Sequence, residues 1–419
     1  MGPAECSIDS VSTLTHPDPV RDWAESGIAS LTGPPDGPPL IPPGNAASVA
    51  RECTAWIADV TGGAVQLDGA RLLAERAAFT GHRRAGRTSA GGACRLLPTA
   101  DGWAAVSCAR PDDPLLIGAL VGADVGDDPW PAVEEWLREH SGSELAERAH
   151  MLGVAAGPVM SPVPAPAPLR PLAPRPVAGL LVVDFSALWA GPLCAHLLGL
   201  AGARVIKVET ARRPDGARRG HPDFYRLLHG GHEAVTLDPS LPRDRTDLAA
   251  LVSAADIVIE ASRPRALLGF GLDAAEYVSN GATWVSITAH GRDSNSVGFG
   301  DDIAATAGLV ARDNNGLMFV GDAIADPLTG ITAAALAMST PADGAGMLWD
   351  IPMSSVVAAT LHETETSVRQ AYRDGNRWCV EAASGIVEIA EPRRREPRGI
   401  VAGPGRDTGL VLAELRITR

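Results

Sequence analysis

Lysine is almost missing from this chain: Lys207 is the only one, and every other basic residue is arginine. Basic charge as a whole is in deficit, with 36 Lys and Arg against 50 Asp and Glu and a formal net charge of −14. A general nucleic-acid binder carries a basic face, so this balance argues against that class. Cysteines are few and stand singly, at Cys6, Cys53, Cys94, Cys108, Cys194 and Cys379. They form no CxxC pair and no His/Cys cluster, which argues against a zinc site and supplies no disulfide framework. The opening MGPAECSIDS has no charged region ahead of an apolar core, so no signal peptide is indicated. No unbroken hydrophobic run exists either: the longest, 177–200, is interrupted by Asp184, Pro192 and His196. It reads as a buried strand–turn–helix and not as a membrane span. These absences predict a soluble, cytoplasmic protein. The preference for arginine, with abundant Ala, Gly and Pro, fits codon bias, although Lys207 lies inside the strand-like VIKVE.

At 419 residues the chain has room for two or three domains and a substantial core. Residues 1–20 are polar and predict a flexible N-terminus. Between 21 and 157 the pattern is mixed, with helical spacing over 46–60, 70–78 and 132–148 and a turn entering a strand at 101–109. Eight prolines between 158 and 176 exclude regular helix and predict an extended linker. From 177 to 365 strands and helices alternate. Strands are predicted at 180–185, 204–209, 234–237, 256–260 and 283–288, and helices at 192–201, 244–254, 273–280, 302–311 and 329–338. This alternation predicts βα units and a doubly wound α/β domain. A return segment and Arg/Pro/Gly-rich tail occupy 366–419. The stretch 26–76 also echoes 307–358 in the order of its elements; in that echo Ser48 falls where the later copy has Asp326.

Two ends of the second region carry chemistry. Its first strand leads into Leu188-Trp189-Ala190-Gly191-Pro192, a small-residue turn that lets backbone amides approach a phosphate or pantetheine arm. It is not a GxGxxG fingerprint. At the other end, GDAIADPLTG sets Asp326 among small neutral residues, fitting either a reactive carboxylate or a helix-cap aspartate before Pro327. Asp301 and Asp302, in GFGDDIA, fit either helix caps or a second pair of functional acids.

Taken in order, DFSALWAGPLCAHLLGLAGARVIKVE, LHGGHEAVTLD, ADIVIEASRP, WVSITAHG, GFGDDIAATAGL and GDAIADPLTG resemble the family III (CaiB/BaiF-type) CoA-transferases. That group includes formyl-CoA transferase, carnitine CoA-transferase and the α-methylacyl-CoA racemases. The segment GRTSAGGACRLLPTADGWAAVSCARPDD resembles the family's small-domain strand region, which there follows the large domain, so the resemblance implies a permuted or fused order. It implies a Rossmann-like large domain, a smaller α+β domain and an interlocked homodimer. It further implies acyl-CoA and a carboxylic acid acceptor as substrates, with coenzyme A as substrate and no cofactor held permanently.

By the same resemblance Asp326 matches the family nucleophile, and Leu188, Trp189, Ala190, Leu237, Ser262 and Ala266 fall at CoA contacts. Thr210, Ala261, Gly269 and Phe299 stand where relatives can carry charged or polar residues, leaving Arg212, Arg213 or Arg263 to meet the phosphates. Asp301 stands where the racemase branch has histidine, which favours transfer, because α-proton shuttling wants a group titrating near neutrality. Racemisation and a silent CoA-binding subunit are the alternatives.

Overall fold

The structure, a computed structural model, describes residues 18–160, 167–262, 264–314, 316–361 and 369–417. The predicted flexible N-terminus lies almost wholly outside the described residues, as do Arg263 and the middle of the proline-rich segment.

Helices come first, among them α1 (Pro19–Ser26), α2 (Ala46–Val60) and α3 (Glu75–Thr80). Pro19 opens α1 where no N–H is needed, and Asp18 caps it by accepting from the Arg21 N–H at 3.2 Å. An antiparallel unit follows: strands β1 (Cys94–Pro98) and β2 (Trp103–Ser107), helices α4 (Asp113–Val121), α5 (Trp130–Leu137) and α6 (Gly142–Leu152), and strand β3 (Ala156–Pro158). Strand β2 pairs with both β1 and β3, and Val106, Ile117, Leu120, Val133 and Leu145 build a core of their own. The single helix predicted over 132–148 is therefore two. Ser141 ends the continuity by accepting from the Glu144 N–H at 3.2 Å, as serine does at caps.

The second half contributes β4 (Leu181–Asp184), α7 (Ala190–Leu200), β5 (Arg204–Glu209), α8 (Pro222–His229), β6 (Glu233–Thr236), β7 (Ile257–Glu260), β8 (Thr283–Thr288), α9 (Gly300–Thr306), α10 (Ala325–Ala337) and β9 (Met347–Pro352). Its strands form one wholly parallel sheet in the order β9–β8–β7–β4–β5–β6. All five strands predicted here are present. Strand β9 is an addition: Asp350 and Pro352 read against a strand, and an edge position paired on one side tolerates them.

Val182, Val205, Ile257 and Val285 join the core under α7 and α10, while Leu181, Val183, Ile206 and Val258 join the core under the helices Pro242–Ser253 and Ala274–Ser279. Burial on both faces explains why these strands read as apolar runs without alternation. The fold is thus a doubly wound α/β sheet with a smaller α+β unit. Trp23, Ile28, Ala50, Ile57 and Leu73 belong to the α7/α10 core, so residues 19–80 pack on the large sheet's domain and 94–158 forms the separate unit.

The sheet order places the carboxyl ends of β4 and β7 side by side, where the chain stops winding outward and returns. Ligands bind at such a reversal in open α/β sheets. Two features bring α10 to it. Gly330 lies so close to α7 that a Cβ there would stand 2.5 Å from the Ala190 carbonyl oxygen, so only glycine allows this approach. The helix predicted over 302–311 also stops early, at Thr306. Gly308 turns the chain at φ +97°, and Val310–Asp313 pairs with Gly316–Phe319. Among the described residues no helix is long and apolar enough to cross a membrane.

Candidate active site

Helix α10 begins at Ala325, a full turn before the predicted start at 329, so Asp326 stands inside its first turn and not ahead of it. Pro327 is accommodated because first-turn N–H groups have no partner in the helix. Twelve of the thirteen α10 residues are buried, and Asp326, half-buried, is the exception. An apolar helix buried all round therefore presents one polar group. The Gly300 backbone lies against the Asp326 carboxylate and favours its charged form. A Cβ on Gly300 would lie 2.6 Å from Asp326 Oδ2 and 2.4 Å from the Ala323 carbonyl oxygen, so the start of α9 can approach only as glycine.

Asp301 and Asp302, the second and third residues of α9, point to different neighbours. Asp301 Oδ1 accepts from the Ala323 N–H at 2.8 Å, and Ser89 nearby favours the charged form of this carboxylate. It therefore joins the turn that carries Asp326. Asp302 accepts from the Phe299 N–H at 3.0 Å and from Ser107 Oγ, on β2, at 2.8 Å. Those bonds cap α9 and tie it to the smaller unit, away from Asp326.

Three further residues complete the cluster, and the sequence reading missed them. Asp322, fully buried, lies in the turn ahead of α10, four residues before Asp326. Arg76, on α3, grips it with a fork: Nε to Oδ2 at 2.9 Å and Nη2 to Oδ1 at 2.5 Å. His82 Nδ1 lies 3.2 Å from Asp322 Oδ1. Asp322 had a signal in its spacing to Asp326, but Arg76 is 246 residues away and no local pattern announces it.

This arrangement sets the protonation states. Burial pushes the Asp326 carboxyl up to about 7; Arg76 pulls it back, and the charges of Asp301 and Asp322 add to the rise. Burial, then the charge of Asp322, raises Asp301 to about 6. Burial raises Asp302 to about 7 against the Ser107 and Phe299 hydrogen bonds. Burial opposes ionisation of Asp322 too, but Arg76 outweighs it and holds that carboxyl well below the usual range. The site thus offers one carboxylate that is permanently charged and two, Asp301 and Asp326, that titrate near neutrality beside it.

The residues assigned to CoA all follow the carboxyl ends of parallel strands: Leu188, Trp189 and Ala190 after β4, Arg212 after β5, Leu237 after β6, and Ser262 and Ala266 after β7. Leu188 is 44% exposed and holds φ +69°, while Trp189 and Ala190 are buried. Leu237 is buried, Ser262 and Ala266 half-buried, and Arg212 and Arg213 exposed. Lys207 supports this turn from below. Its Nζ donates to the Ser186 carbonyl at 2.5 Å and lies 3.1 Å from Asp215 Oδ2 and 3.7 Å from Asp184 Oδ2. Asp215 in turn accepts the Leu188 N–H at 3.0 Å.

The sequence pattern of CoA-transferase family III matches residues 177–388, half of the chain. The chain belongs to this family. It is similar to the succinyl-CoA–D-citramalate CoA-transferase of Chloroflexus aurantiacus, 26% identical over 241 residues that cover 52% of this chain and 60% of that one. It is also similar to human succinyl-CoA:glutarate CoA-transferase, 24% identical over 250 residues, 55% of this chain and 57% of the relative. The chain thus spans less than two thirds of the length of these relatives. A solved structure of Rv3272 from Mycobacterium tuberculosis aligns with a TM-score of 0.44 at 25% identity, over 51% of this chain and 64% of that one. The family match contains Asp301, Asp302, Asp322 and Asp326, whereas Arg76, His82, Ser89 and Ser107 lie before it.

Proposed function

We propose that this family III chain transfers coenzyme A from an acyl-CoA to a carboxylic acid, with Asp326 as the nucleophile. One observation carries the reading: the one part-exposed residue of a buried helix is a carboxylate, and that helix packs directly on α7 behind a turn suited to CoA. The names of the relatives support the same chemistry.

In this reading an Asp326 carboxylate oxygen attacks the thioester carbonyl. The C–S bond breaks, giving a mixed anhydride and CoA thiolate. The thiolate attacks the Asp326 carbonyl carbon and expels the donor acid as a carboxylate, leaving an aspartyl-CoA thioester. The acceptor carboxylate then repeats the two exchanges in reverse and regenerates Asp326. The Gly300 N–H and the first-turn amides of α10 are the donors at hand for charge that develops on oxygen. Leu188, Trp189 and Ala190 would cradle the pantetheine arm, and Arg212 or Arg213 would meet phosphate. No permanently bound cofactor takes part.

Racemisation at the α-carbon has one observation in its favour: Asp301 and Asp326 form a pair of carboxyls that both titrate near neutrality. One experiment separates the readings. Incubation with a panel of acyl-CoA thioesters, followed by mass spectrometry, should find CoA or acyl mass on the peptide containing Asp326, with CoA appearing on an added carboxylic acid. Deuterium uptake at the α-carbon without an adduct would mark a racemase, and neither result would leave a CoA-binding subunit.

A further inference from the structure

Only three non-glycine residues among those described hold positive φ: Leu188, Ala323 and Arg416. Such backbone is strained for a residue with a Cβ and persists where its surroundings over-determine it. Two of the three adjoin the two groups that Arg76 contacts. Ala323, at φ +49°, follows Asp322, which Arg76 holds in its fork; Leu188, at φ +69°, precedes Trp189, whose ring lies 4.8 Å from the Arg76 guanidinium.

We propose that Arg76 is a positioning residue that clamps two strained turns together, the Asp322–Ala323 turn carrying Asp326 and the Leu188–Trp189 turn that opens α7. The catalytic consequence rests on the CoA-transfer reading. Asp322 is buried beyond reach of bulk water, so its two oxygens take their orientation from Arg76, with His82 beside them. The Ala323 N–H is meanwhile fixed by Asp301, leaving the turn little freedom to relax. Trp189 is buried, and its ring also packs edge-on against Phe224, with centroids 5.4 Å apart. Among the described residues the guanidinium is thus the charged group that touches both turns, and its planar fork and flat face serve the two contacts together. Lysine supplies the charge without the fork or the flat face. The clamp also couples the parts of the molecule, because Arg76 arrives from the helices that precede the family match.

The test compares the wild-type chain with Arg76→Lys and with the double variant Arg76→Met/Asp322→Asn, which removes the Arg76–Asp322 ion pair as a unit. Amide hydrogen exchange is followed in peptides covering 186–192 and 320–326, together with the rate constant of adduct formation on Asp326 at saturating acyl-CoA. Both peptides should exchange faster in both variants, by roughly 10-fold. The acylation rate constant should fall by roughly 10- to 100-fold while KM stays within about threefold. Loosening of one turn alone, or of neither, overturns the clamp. Acylation at the wild-type rate with both turns loosened overturns the positioning role. Should the wild-type chain form no adduct, the transfer reading fails, and joint loosening of the two turns still decides the clamp.

Discussion

Replacing Asp326 with asparagine will lower CoA exchange by a factor on the order of 1000 or more, because the amide has no carboxylate oxygen to attack the thioester. The substitution is close to isosteric and keeps an oxygen facing the Gly300 backbone, so the loss belongs to the chemistry and not to the fold. The direction of the stability change makes this distinguishable. Burial raises the Asp326 carboxyl to about 7, so above that pH the folded chain carries a charge it holds poorly. Removing that charge leaves the thermal midpoint at pH 8 unchanged or higher. Exchange assays with an acyl-CoA and a carboxylic acid, beside a melting curve, measure both effects. An active variant would refute Asp326 as nucleophile, and an inactive one that melts early would leave the loss unassigned.

The second large effect concerns pH and stability. Asp302 keeps its proton to about 7 in the folded chain, whereas in an unfolded chain it releases it near 3.8. Between those values the folded state binds more protons, so stability falls as pH rises and is fully present only below the unfolded value. Asp301 and Asp326 act in the same direction. Asp322 acts oppositely: its stabilisation is present above the unfolded value and fades as pH drops below it. Asp302→Asn retains an oxygen for the Ser107 and Phe299 hydrogen bonds and cannot ionise. At pH 8 it should be more stable than the wild type by roughly 1–4 kcal/mol. Urea unfolding at pH 8 and pH 4 checks the claim: the gain should shrink towards zero at the lower pH. A variant less stable than wild type at pH 8 would contradict it. Transfer activity in the wild type should rise with pH through about 7 as Asp326 ionises.

The sheet was legible because its strands are apolar on both faces and its helices are short and well punctuated; β5 and β8 have the bounds that their residue pattern predicts. Asp326 and Asp301 were legible as acids in small-residue surroundings. The split between Asp301 and Asp302 was not, since adjacent carboxylates look alike until Ala323 claims one and Ser107 the other. Nor was the start of α10, because Pro327 reads as a barrier until its first-turn position removes the penalty. Arg76 and His82 were invisible for a different reason. Their partner lies in another region of the chain, and a contact between distant segments leaves no periodicity to read.

Lys207 has a practical consequence. It is the only side-chain amine in the sequence, and it is 2% exposed beneath the Ser186–Ala190 turn. A reagent that acylates amines therefore finds no lysine on the folded surface. The rate at which Lys207 reacts counts how often the carboxyl edge of the sheet opens, so the chain carries its own reporter at the place where its substrate is proposed to bind.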